Sequence, residues 1–139
     1  MKYLILLFLS SFYQTVYSQS FTLTLSITNI KIIKGVIRIG IYNEKKKFPK
    51  VQQEYRTYAF NVNKYAEVFS INGLPRGEYA IAIYQDENTD GKCNTNFFGL
   101  PTEGYGFSKN YKPILTAPSF NECKIDLNLD KSISIKLLN

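Results

Sequence analysis

The stretch Asp86-Glu87-Asn88-Thr89-Asp90-Gly91 sets oxygen-bearing side chains at alternate positions ahead of a glycine. Carboxylate and amide oxygens are what a hard cation such as Ca²⁺ takes as ligands, and glycine permits the sharp turn between them. An EF-hand requires a bidentate Glu at the twelfth position of such a loop, and here that position is Phe97. The cation reading is therefore a non-EF calcium loop of Asp86, Asn88 and Asp90, with Asn94 or Glu103 completing the shell. The competing reading is a tight turn whose Asp and Asn side chains bond their own backbone. At the level of sequence both stand.

Three acids in this region, Asp86, Glu87 and Glu103, also raise a hydrolytic alternative. Glycoside hydrolysis needs one carboxylic acid and one carboxylate facing each other across a cleft. A carboxylate-based hydrolase acting on extracellular glycans is thus the second functional reading. Phe97, Phe98, Tyr105 and Phe107 supply a third chemistry, stacking on sugar rings or on a peptide. They also suit packing of the loop onto the domain, and at least two of the four are expected to do only that. Histidine is absent. Its absence excludes Ser-His-Asp and Cys-His nucleophilic sites and His-ligated zinc.

The elements that must position these residues begin after a leader. Met1-Lys2-Tyr3 precedes the apolar run Leu4-Ile5-Leu6-Leu7-Phe8-Leu9, and Val16-Tyr17-Ser18 precedes Gln19. A basic start, a short apolar stretch and a small residue at the exit describe a signal peptide, with the cut expected after Ser18. The run is too short to span a bilayer, which takes about 20 apolar residues. The expected product is an exported protein, periplasmic or secreted, with one domain over residues 19–139. No downstream segment reads as a membrane span.

The chain is basic, with net charge +6. Residues 31–64 hold nine Lys/Arg against Glu44 and Glu54, whereas 85–103 hold four acids against Lys92. A basic surface can meet anionic polymers or lipid, or simply keep the protein soluble. For an exported chain nucleic acid is not an expected partner. A glycan or an envelope protein is.

Phe21-Thr22-Leu23-Thr24-Leu25-Ser26-Ile27 alternates apolar and polar residues, the period of a half-buried strand. Further strands are expected at 35–42, 58–62, 67–71 and 79–84, and an alternating hairpin at 124–129 and 132–137 turns around Asp130-Lys131. Asn72-Gly73-Leu74-Pro75-Arg76-Gly77 reads as a turn cluster. About seven short strands and one long irregular loop, 85–121, describe an all-β, Ig-like or prealbumin-like antiparallel sandwich. Leu74-x-x-Gly77-x-Tyr79 has the arrangement of a tyrosine corner, in which the phenol hydroxyl bonds back to upstream backbone.

The same residues carry a family resemblance. The string from Tyr79-Ala80 through Asp86-Glu87-Asn88-x-Asp90-Gly91-Lys92, then Asn96, Gly99-Leu100-Pro101-x-Glu103-Gly104-Tyr105-Gly106-Phe107-Ser108 and Pro118-Ser119-Phe120, resembles the bacterial family called domain of unknown function 2141. Gly35…Tyr42-Asn43…Phe48-Pro49 fits the same pattern. The resemblance implies an exported β-sandwich and supplies no catalytic residue. Gln85 stands where that pattern has His, Asn94 where it has Asp, and Lys109 where it has Asn. The first two changes weaken a proton-transfer site and a metal shell.

Cys93 and Cys123 stand where the pattern has an apolar and a small residue. Two cysteines in an oxidising compartment allow one intramolecular pairing, so a Cys93–Cys123 disulfide is expected. The functional expectation is a non-catalytic binding or structural domain with residues 85–110 as its working loop.

Overall fold

The computed structural model describes residues 19–139; the expected leader, residues 1–18, lies outside the described residues. The described residues form eight strands: β1 (Ser20–Thr28), β2 (Val36–Tyr42), β3 (Arg56–Asn61), β4 (Glu67–Pro75), β5 (Gly77–Asp86), β6 (Tyr105–Phe107), β7 (Ile125–Leu127) and β8 (Lys131–Lys136). They make two sheets, β4-β1-β8 and β3-β2-β5-β6, and β7 also pairs with β5. The result is the all-β sandwich that the alternation implies.

Alternation sends one face of each strand inwards. Leu23, Leu25 and Ile27 of β1 meet Ile37, Ile39 and Ile41 of β2, with Ile71, Leu74, Ile81, Ile83, Leu127 and Ile135 filling the space between sheets. Phe60 stacks on Phe69 at a ring separation of 4.4 Å, closing the core where β3 faces β4. Tyr79 Oη donates to the Pro75 carbonyl at 2.8 Å. The tyrosine corner thus sits where the chain leaves one sheet for the other.

Two expectations need correcting. The 72–77 cluster does reverse the chain, but only at Arg76 between β4 and β5, and Asn72-Gly73 is strand. β4 runs through it, and the pairing shifts by one residue between Phe21 and Leu23, with Gly73 at φ +72°. A glycine in the left-handed region serves a bulge as readily as a turn, and the bulge lets the chain go on to bury Leu74. The C-terminal hairpin is not formed either. β7 pairs antiparallel with β5, whereas β8 runs parallel to β1, so the sandwich is not purely antiparallel. Asp130 Oδ1 accepts the Thr22 N–H at 2.8 Å, which draws the start of β8 beside β1. Alternation says which face is buried but not which strand lies alongside.

The outer face of the five-stranded sheet is not bare. Tyr42, Ala80, Phe48, Phe120 and Cys123 form a second, smaller core there, joined by Phe107 and Tyr111. A one-turn helix, α1 (Phe120–Cys123), supplies two of them. Its start is held by the Glu122 carboxylate accepting the Ser119 N–H at 2.7 Å, half of a capping box.

Candidate functional site: a groove on the outer sheet face

Residues 36–42 of β2 alternate so that Arg38, Gly40 and Tyr42 point away from the main core, opposite Ala80, Ala82, Tyr84 and Asp86 of β5. Gly40 lies directly across from Ala82. Two small side chains on adjacent strands leave a depression, and aromatic rings from Tyr42, Tyr84, Tyr105 and Phe107 bound it. Three irregular segments then rise around it: 49–54, 91–101 and 113–117. The groove has a volume of about 550 Å³, within the range of small-molecule sites. Its rim carries Val51, Leu100, Ile114 and Leu115, and the last two are 91% and 94% exposed.

Charge is sparse in the groove. Among the described residues Glu54 is its one carboxylate and Lys92 its one cation. The Tyr42 hydroxyl donates towards Glu54 Oε1 and the Lys50 carbonyl, both at 3.2 Å. Burial raises the Tyr42 phenol pKa, and the Glu54 charge adds to the effect, so that hydroxyl stays a neutral donor.

The acids of the long loop lie elsewhere and are occupied. Asp86 is fully buried. It accepts Arg38 Nε at 2.6 Å, the Gly91 N–H at 2.9 Å and the Asp90 N–H at 3.1 Å. Glu103 accepts the Glu87 N–H at 3.0 Å through one oxygen and the Asn94 N–H at 2.9 Å through the other. Asn88 Oδ1 accepts the Asp90 N–H at 3.2 Å. Asp90 in turn accepts the Lys92 N–H at 2.8 Å, the largest reason its carboxyl sits below the usual range. The five residues considered as calcium ligands are thus neighbours bonded into the loop, and Asp86 alone of the five is paired with Arg38. Among the described residues no group of three or more His, Cys, Asp or Glu is placed to hold a metal. Nor do Asp86, Glu87 or Glu103 line the groove, so they do not face each other across it.

The four aromatics divide between packing and exposure. Tyr105 and Phe107 pack as groove wall, with Phe107 also 6.1 Å from the Phe48 ring. Phe97 and Phe98 project from the tip of the loop, edge to face at 5.6 Å, with Phe97 98% exposed. Two features of the groove leave little mark on the sequence. One is the 113–117 wall, whose only trace is the adjacent pair Ile114-Leu115 between Pro113 and Pro118. The other is the Gly40–Ala82 floor. Gln85, expected as a lost proton-transfer residue, is a buried brace whose Nε2 donates to the carbonyls of Ile32 and Lys34 at 2.7 and 2.9 Å.

A family model described as "Uncharacterized protein conserved in bacteria (DUF2141)" matches residues 25–136. The chain belongs to this family. The matched span holds every segment that lines the groove and both sheets apart from the first half of β1. No curated protein and no solved structure matches the chain.

In this DUF2141 chain the expected disulfide is not formed: Cys93 and Cys123 are both free thiols. Cys93 lines the groove, whereas Cys123 is buried in the second core beside Phe48 and Phe120. A shared compartment and a count of two cannot bring two Cβ atoms within bonding reach. Burial pushes the Cys93 thiol up to about 11, with Glu103 and Asp86 adding to the effect, and the Cys123 thiol up to about 12. Both thiols are therefore neutral at physiological pH, and only the thiolate reacts. Denatured, unreduced protein should titrate two thiols. In the native state Cys93 should alkylate slowly, about tenfold faster for each pH unit up to its pKa, with Cys123 protected until unfolding. A count of no free thiols in the denatured chain would restore the bridge.

Proposed function

We propose that this chain is an exported, non-catalytic binding domain whose groove on the outer face of the five-stranded sheet takes a small ligand with an apolar body. The observation that carries the reading is the pairing of a small-residue floor, Gly40 and Ala82, with an apolar rim. Ile114 and Leu115 leave nearly all their side-chain surface in water. Soluble monomers seldom leave such surface gathered in one place unless something covers it. A single carboxylate, held by a tyrosine, favours binding over acid–base hydrolysis, which needs two. The loop 85–110 contributes one wall of the groove rather than the whole site. Export rests on the leader at 1–18, and nucleic acid is not a partner in this reading.

The test is titration with a neutral apolar fluorophore such as N-phenyl-1-naphthylamine. The wild-type chain should bind it saturably with one site. Ile114→Asp with Leu115→Asp should weaken binding by at least about tenfold, since each residue removes more than one buried methylene from the contact. Because both positions are exposed, the variant should melt as the wild type does. Equal binding by both proteins, or saturable binding of soluble glycans with none of the dye, would overturn the reading.

A further inference from the structure

A second cavity, of about 530 Å³, lies apart from the groove, where the ends of β1 and β8 meet the 3-10 turn at Ser108–Asn110. Asn29, Asn110 and Asn139 frame it, and Lys31, Lys112 and Lys136 reach it from three separate segments. We infer that this cavity is a binding site for a multivalent oxyanion, a phosphate or sulfate group, held by the three lysines.

The frame is built, and each of its three amides donates a bond to it. Asn29 Nδ2 donates to the Leu137 carbonyl at 2.7 Å. Asn110 bonds β8 twice, Nδ2 donating to the Ser134 carbonyl at 3.1 Å and Oδ1 accepting the Lys136 N–H at 2.7 Å. Asn139 Nδ2 donates to the Asn29 carbonyl at 3.1 Å. Asn29 and Asn110 sit at φ +65° and +54°, a conformation Asn adopts more readily than most residues. Each of these amide nitrogens donates one N–H to the frame and keeps a second, so the ammonium groups are the charged donors of the cavity.

No Asp or Glu side chain among the described residues lines the cavity. Among the described residues the ion pairs are Arg38–Asp86, Lys47–Glu44 and Lys124–Glu78, and none of the three lysines belongs to one. The three lysines line one concavity from separate segments, and an anion bound there accepts charge-assisted hydrogen bonds in a locally positive field. Lysine presents a point charge rather than a planar fork. Selection is therefore by charge, with a dianion preferred over a monovalent ion. The site is distinct from the apolar groove and does not depend on the proposed function.

The experiment is an amide NMR titration of the full chain with inorganic phosphate, chloride being exchanged to hold ionic strength constant. Saturable shifts are expected at Asn29, Asn110, Lys112 and Lys136, and chloride alone should not produce them. Lys31→Gln, Lys112→Gln and Lys136→Gln should each weaken phosphate binding by about fivefold. Lys45→Gln with Lys46→Gln, on an exposed turn, should leave it unchanged. A parallel arm measures sedimentation with phosphatidylglycerol and phosphatidylcholine vesicles. Lysine-dependent binding to the anionic vesicles would identify a lipid headgroup as the source of the phosphate, and binding of inorganic phosphate alone would identify the free ion. Shifts that fail to saturate, or a triple-lysine variant that binds phosphate like the wild type, would overturn the site.

Discussion

Asp86→Ala should lower the unfolding free energy by about 3 kcal/mol in urea denaturation, at the lower end of the cost of breaking a buried ion pair. The carboxylate is wholly buried and holds Arg38 and two loop N–H groups. Removing it takes an acceptor from all three donors at once, although the Asp90 N–H keeps Asn88 Oδ1. The effect stays at the lower end because the Arg38 side chain is 35% exposed and can turn to water. Asp86→Asn keeps an acceptor oxygen and the shape, and should fall between the alanine variant and the wild type. Asp90→Ala, on the exposed side of the same loop, should cost far less. An Asp86→Ala midpoint indistinguishable from the wild type would mean that the loop does not depend on its staple.

Gly35→Ala should be at least as damaging, by about 3 kcal/mol or more, and for a backbone reason. Gly35 lies at φ +70°, and a Cβ there would stand 2.0 Å from the Asp86 carbonyl oxygen and 2.7 Å from Glu87 Cα. Both obstacles are main chain, so no side-chain rotation relieves the overlap, and strand separation between β2 and β5 must follow. The strain of a left-handed alanine adds to it. Gly73 is the internal control. It has nearly the same dihedral, φ +72°, with nothing within 4 Å of the added carbon, so Gly73→Ala should cost only about 1 kcal/mol. The difference between the two variants measures the overlap free of the dihedral term. Equal midpoints would show that the close approach of Gly35 to the Asp86–Glu87 backbone carries no weight.

Much of the architecture is local and therefore legible in the order of residues alone. Leu23, Leu25 and Ile27 alternate with polar neighbours, and a period of two can bury one face only as a strand. The tyrosine corner is also readable, because Tyr79 and its acceptor Pro75 are four residues apart. The Asp86–Gly91 spacing marks a loop rich in oxygen ligands. What the spacing could not say is that Asp86 would be paired with Arg38, 48 residues away. An ion's place and a guanidinium's place look alike from one side of the contact.

The rest was decided by which strands lie together. The segments at 125–127 and 131–136 alternate as a hairpin would, yet they join different sheets, since partner choice depends on the packing of the whole core. The groove has the same origin. Gly40 and Ala82 become a floor only because the β2–β5 register sets them opposite each other. The 113–117 segment becomes a wall only because Phe107 and Phe120 anchor the chain to either side of it. The lysine cavity gathers residues 31, 112 and 136, positions with no relation along the chain. Concavity is a property of surfaces brought together, and no window of sequence contains one.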